Sequence, residues 1–347
     1  MPDAWLDLLN ADPRPWLLEE SNPAVRAATL IRLVGKAPGD PEVVTARAQA
    51  LRVDPIKGIL DAMDPRGFWV KPGPGYAPKY SGTVWNLMFL EQMEADPADD
   101  RIQAACRYVL DHTTVATGGF GCSGSHLEDS PPPSSVLHCL NGNLTRSLIR
   151  FGHLDDPRVQ AAVDWAARTI TGEGVDRWYA NTPGPGFACG VNEDLPCAWG
   201  AAKEMRALAV IPPRRRTARV KRSIEIGVKF LLSRDPSEAD YPMGWGNTRP
   251  SSSWFKLGFP SGYVADVLQV LEVLAELGHG RDPRLEHSLA WLAGFQDARG
   301  RWANRYAYQG KMVRNIDRPG QPSKWVTLRA CRVLKAATQA GGRVPAS

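Results

Sequence analysis

The chain has 347 residues, 43% hydrophobic and 23% charged, enough for one large core or two modest ones. A net charge of +5 with a single concentrated basic run, "RRRTARVKR" at 214–222, excludes a spread nucleic-acid surface, and no apolar run is long enough to span a membrane. The opening "MPDAWLDLLNADPRPW" has neither the basic nor the apolar region of a leader, so a cytoplasmic protein is expected, in which six cysteines point to metal or thiol chemistry rather than disulfides.

In chain order, "NPAVRAATLIRLVG" at 22–35 starts a series of helices, followed by the turn "RGFW" at 66–69 and an apolar helix in "KYSGTVWNLMFLEQM" from 79. An amphipathic helix, "DDRIQAACRYVLDH" from 99, leads to the turn "GGF" at 118–120 and the apolar "LHCLNGNLTRSLIRFG" from 137. The unit recurs as "DDPRVQAAVDWAART" from 155, "GVDRW" at 174–178 and "LPCAWGAAKEMRALAVI" from 195. It recurs again as "TARVKRSIEIGVKFLL" from 217, "GW" at 244–245 and "PSGYVADVLQVLEVLAELG" from 260. The last copy is "RDPRLEHSLAWLAGFQ" from 281, "GRW" at 300–302 and "PSKWVTLRACRVLKAA" from 322.

Leu285, Leu289 and Leu292 recur at helical spacing behind an Asp-Pro start, one apolar face of an amphipathic helix. The stretch 264–277 is apolar on most sides, as a helix surrounded by neighbours must be. Glycine supplies the backbone freedom of each turn and the aromatic plugs the space beside it. Repeats of one surrounded and one amphipathic helix stack as a solenoid or close into concentric rings, and the alternation favours the ring. The expected fold is therefore all-α, an α/α toroid in one domain over 1–347, with repeats from about 22 to 338 and a short flexible tail.

The stretch "WLAGFQDARGRW" at 291–302 fits the QW motif of squalene-hopene and oxidosqualene cyclases, and the toroid with Gly-Gly-Phe turns resembles the β subunits of protein prenyltransferases. The resemblance implies a brace in which Gln296 caps backbone at a helix end and Trp302 stacks beside it. It also implies a central cavity that takes a small hydrophobic, isoprenoid-class molecule for acid-assisted lyase, isomerase or cyclase chemistry. The chain departs from that superfamily in lacking a D-x-D-D acid, a D-D-x-x-D diphosphate site and the length for a second toroid, which excludes squalene cyclisation.

Cys139 in "CLNG" and Cys197 in "CAWG" align across repeats at the starts of two inner helices, and Cys122 and Cys189 lie in the loops before them. Four thiolates gathered at one rim would suit tetrahedral zinc, with helix N-termini favouring the charged form. Inert buried thiols and thiols acting directly are the other readings. His126 and His138 place imidazoles beside them, and by resemblance to the prenyltransferase zinc site Cys139 and Asp129 become ligand candidates. Cys189 with Cys197 is similar in placing to the cavity cysteines of linalool dehydratase-isomerase.

For a cavity acid and its partner the candidates are Glu128 with Asp129 and Glu193 with Asp194, beside His126, Asp266 and Tyr80 near the same mouth. Facing aromatics such as Trp85, Trp199, Tyr263 and Trp325 would stabilise a cation, with Lys324 nearby. Adjacent acids just before a helix also serve as caps and solvated loop residues. A non-catalytic toroid that carries a ligand around a structural zinc is the rival function.

Overall fold

A computed structural model describes residues 4–122, 131–174, 184–238 and 251–339. Among them lie thirteen α-helices and only isolated β-bridges. In chain order they are α1 Arg14–Leu17, α2 Pro23–Thr29, α3 Pro41–Ala50, α4 Ile56–Asp61, α5 Thr83–Gln92, α6 Asp100–Thr113 and α7 His138–Arg150. There follow α8 Pro157–Thr171, α9 Ala198–Ala209, α10 Ala218–Leu231, α11 Val267–Glu276, α12 Glu286–Ala293 and α13 Lys324–Thr338. The fold is an all-α toroid of inner and outer helices.

The inner ring runs α5, α7, α9, α11, α13, each packed on the next, and α2 lies on α13. Every residue of α9 is buried, as a helix with neighbours on all sides requires. Glycine sets the tightest crossing. A Cβ on Gly142 of α7 would stand 2.4 Å from the Lys203 backbone, and one on Gly200 of α9 would stand 2.8 Å from the His138 Cβ. The contacts 138 to 200 and 142 to 204 run in the same direction, so the inner helices are parallel and their N-termini share one end of the ring.

Three outer helices start with one device, while Thr217 caps α10 by accepting from Val220 N. Asp99, Asp156 and Asp282 each accept the backbone N–H two residues on and the Nε of the arginine there, at 2.8–3.0 Å. Asp12 and Arg14 do the same before α1. The motif Asp-Pro-Arg at 12–14 thus marks α1 as the outer helix of the first repeat, ahead of the start expected at 22.

The turns repeat as well. Trp69 Nε1 donates to Ile59 O at 2.7 Å and Trp302 Nε1 to Leu292 O at 2.8 Å. Their backbone N–H groups donate to Thr83, the first residue of α5, and Thr327, the fourth of α13. The turn glycines Gly67 and Gly118 have φ of +97 and +90 and press on the backbone of Ala104 in α6 and Ala161 in α8, so each turn sits on the next outer helix. Gly300, φ +67, presses instead on Ala11 O.

Gln296 completes that contact. Its Oε1 accepts from Asn10 N at 2.7 Å and its Nε2 donates to Leu8 O at 3.0 Å. The last turn therefore grips the segment before α1 as earlier turns grip the next helix, and the ring closes. Gln296 joins chain ends 286 residues apart rather than capping its own helix.

The C-terminal halves of the inner helices hold buried charges. Arg146 bridges Glu91 at 3.1 Å and Glu276 at 3.0 Å, Arg329 pairs with Glu272 at 2.6 Å, and Arg332 with Glu276 at 3.2 Å. Arg32 and Arg150 flank Glu94 at 3.4 and 3.8 Å. These bonds tie neighbouring inner helices at the end opposite their N-termini.

Candidate functional site

The close crossing of α7 and α9 brings two helix starts together. His138 is the first residue of α7 and Cys139 the second. Cys197 is the N-cap of α9, its Sγ accepting from Gly200 N at 3.5 Å. Between them lies a cavity of about 170 Å³.

Three thiols, Cys139, Cys189 and Cys197, line it, with the rings of Tyr76, Trp199 and Tyr263 facing them. His138 and Asn192 supply polar atoms. Lys79 borders the same space, its Nζ 3.4 Å from the Tyr263 hydroxyl and 4.5 Å from the centre of that ring. A dry cavity of about 150 Å³ takes up benzene, so the space among the described residues is enough for a small apolar molecule.

Its acid–base pair is buried. His138 is 2% exposed and Glu204, two turns into α9, is 0% exposed. His138 Nδ1 lies 3.3 Å from Glu204 Oε1, which also accepts from Asn141 Nδ2 at 3.0 Å. Burial pushes the Glu204 carboxyl above its ordinary range, and the bonds from His138 and Asn141 pull it partly back. With Nδ1 turned to Glu204, Nε2 is the free edge of a ring that lines the cavity.

That edge has no partner. His138 Nε2, Trp199 Nε1 and Asn192 Oδ1 are all buried without a hydrogen bond, and all three belong to residues lining the cavity. Unsatisfied buried groups cost about 1–3 kcal/mol each. All three belong to residues that line one apolar space, which suits a mostly apolar molecule with a polar end.

Burial overrides the helix N-termini at the thiols. It pushes Cys197 up to about 11 and Cys139 higher still, the latter helped by the nearness of Cys197, Cys189 and Cys122. Of the four cysteines expected at this rim, Cys139, Cys189 and Cys197 line the cavity and Cys122 is not among its lining residues. Among the described residues no three His, Cys, Asp or Glu groups stand close enough to hold a metal ion. The described donors alone do not make a zinc site.

His126, Glu128 and Asp129, the other expected donors and acids, lie outside the described residues. Glu193 and Asp194 are exposed in a turn, both left-handed at φ +54 and +61, and Asn192 beside them is the one that lines the cavity. Asp266 caps α11, accepting from Gln269 N at 2.8 Å and Gly258 N at 3.2 Å, and is apart from the thiols. Tyr80 stacks on Tyr308 at 4.0 Å and tilts against Trp85 at 4.9 Å, next to Tyr263 rather than in the cavity wall. Trp325 stacks on Phe259, and Lys324 bonds Glu19 beside Trp16, well away from the thiols.

Glu204 was not among the residues expected from sequence. Its signal is local: in "AAKEMRALA" two charged residues, Lys203 and Glu204, interrupt a run of small apolar ones on a helix that is buried throughout. A carboxylate in such a place needs a partner, and His138 is that partner. Lys203 has its own, donating to Ser261 Oγ at 3.2 Å and to Gln269.

No family model and no curated protein matches the chain. Among solved structures it is similar to the type II terpene cyclase MstE from Scytonema in its apo form, at 17% identity over 91% of this chain and 87% of that one, TM-score 0.43. A substituted form of the same enzyme in complex with geranylgeranyl dihydroxybenzoate gives 18% identity over 92% and 87%, TM-score 0.44. A protein from Actinoplanes gives 13% identity over 84% and 100%, TM-score 0.33. Likeness this distant leaves the chemistry of the site to its own geometry.

Proposed function

We propose that the protein is an enzyme that binds a small hydrophobic molecule of isoprenoid class, an unsaturated alcohol above all, in the thiol-lined cavity and isomerises or dehydrates it by proton transfer at His138. The observation that carries this reading is the buried Glu204–His138 pair with its unpartnered Nε2 on an apolar cavity. A hydroxyl bonded to Nε2 receives a proton and leaves as water. Glu204 neutralises the imidazolium that donates it.

Trp199, Tyr76 and Tyr263 present π faces to the allylic cation left behind. Nε2, now basic, takes a proton from the adjacent carbon, or water returns at the other end of the allyl system, giving the diene or the isomer. The neutral thiols keep the cavity soft and apolar. Metal analysis of the purified protein tests for zinc at the thiols.

The test is turnover of short isoprenoid alcohols, prenol, linalool and geraniol, followed by gas chromatography with wild-type protein and His138→Asn. The expected result is conversion of at least one alcohol, reduced roughly 10²–10⁴-fold in the variant, the usual weight of a general acid–base group. Tight binding of the alcohols without conversion would make the toroid a carrier.

A further inference from the structure

A second void, of about 30 Å³, lies among the charged side chains of the inner helices, at the end opposite the thiol cavity. Roughly 10–15 Å³ of such space holds one water, so this void takes a small polyatomic ion. Around it the described residues place six arginines, with Arg32, against four glutamates. Five of those arginines have carboxylate partners.

Arg206 is the sixth. It extends from α9, is 7% exposed and lines the void. Among the described residues no carboxylate or carbonyl accepts from its guanidinium; only its backbone oxygen is engaged, by Arg146 Nη1 at 2.8 Å. Arg332 Nε is likewise buried without a partner on the same wall. Burial, and then Arg146 nearby, pull Arg206 down to about 10, although the charges of Glu272 and Glu91 act the other way without bonding it. The carbonyl ends of the inner helices offset part of the excess positive charge, but none of them bonds Arg206. An unpaired buried cation is costly, and an anion in the void would give it a partner.

We infer that this void is an oxyanion site, in which a phosphate group, free or at the end of a phosphomonoester, bonds Arg206 and the Nε of Arg332. Planar guanidinium donors match phosphate oxygens in pairs, and Glu91, Glu94 and Glu272, which line the same void, are each already paired with one of the other arginines. The site shares no lining residue with the thiol cavity and stands independently of the reaction proposed there.

The test is thermal unfolding of the full chain in potassium phosphate, and in glycerol 3-phosphate, against potassium chloride at equal ionic strength. The expected result is a Tm rise of roughly 3 °C or more with at least one phosphate form at saturation. A rise with inorganic phosphate identifies the free ion, and a rise with the ester alone identifies a terminal phosphate group. Arg206→Met should abolish the rise while raising Tm in chloride, because it removes the unpaired cation. Should that variant fail to fold, calorimetric titration of Arg206→Lys replaces it, with affinity expected to fall at least tenfold. No rise in wild-type protein with either phosphate form, or a full rise or unchanged affinity in the variant, overturns the site.

Discussion

At the scale of single residues, the site turns on which groups burial leaves neutral. Cys197, pushed up to about 11 from an ordinary 9.0, is a thiol rather than a thiolate at neutral pH. Its alkylation by iodoacetamide should be slow at pH 7–8 and accelerate toward pH 11, followed by mass spectrometry of the modified peptide. Fast modification near pH 7 would mean that a base or a metal holds the thiolate, and one zinc per chain lost in Cys139→Ser would identify the metal. The thiols were legible from "CLNG" and "CAWG", because aligned helix starts in a ring must meet. Glu204 was not, because a mid-helix glutamate reads as solvated until the helix around it is known to be buried on every side. Glu193 and Asp194 show the converse: adjacent acids before a helix look like a site, yet their left-handed backbone places them in an exposed turn.

At the scale of elements, the crossing of α7 and α9 positions His138 against Glu204, and glycine permits it. Gly142→Ala would set a methyl 2.4 Å from backbone that cannot rotate away. It should destabilise the protein by about 1–3 kcal/mol in urea unfolding and weaken activity with it, by spreading the two helices. The turn at 300–302 does comparable work for the outer ring. Trp302 is 0% exposed and bonded to Leu292 O, so Trp302→Ala should cost about 3–5 kcal/mol. Gln296→Ala should leave the core intact and increase proteolysis of the first ten or so residues, since Gln296 holds Leu8 and Asn10. The helix rhythm and the turns at 66–69, 118–120 and 300–302 were readable from glycine and aromatic spacing, while the turn expected at 244–245 and all but the first residue of the one at 174–178 lie outside the described residues. The first repeat was not, because α1 has only four residues and its Asp-Pro-Arg cap is the sole trace of the pattern.

At the scale of the whole molecule, the ring has an apolar end with thiols and a charged end with arginines. Although burial pushes Glu94 up, Arg32, Arg150 and Arg332 together hold it down at about 2 against an ordinary 4.5. Folding is therefore favoured by this group above about pH 4.5, and the contribution is lost as pH falls toward 2. Circular dichroism during acid titration should show an unfolding transition in that window, shifted to higher pH in Arg32→Met. The reaction belongs to the apolar end, and its central claim is proton exchange between Glu204–His138 and a small molecule in the cavity. The most direct measurement is deuterium incorporation at carbon when the diene product is supplied in D₂O, where a deuteron from Nε2 adds to the diene and water returns to give the alcohol, the reverse of the dehydration, read by mass spectrometry with wild-type protein and Glu204→Gln. The wild type should incorporate deuterium and the variant at least a hundredfold less; equal incorporation by both, or none by the wild type, would rule out proton exchange through this pair.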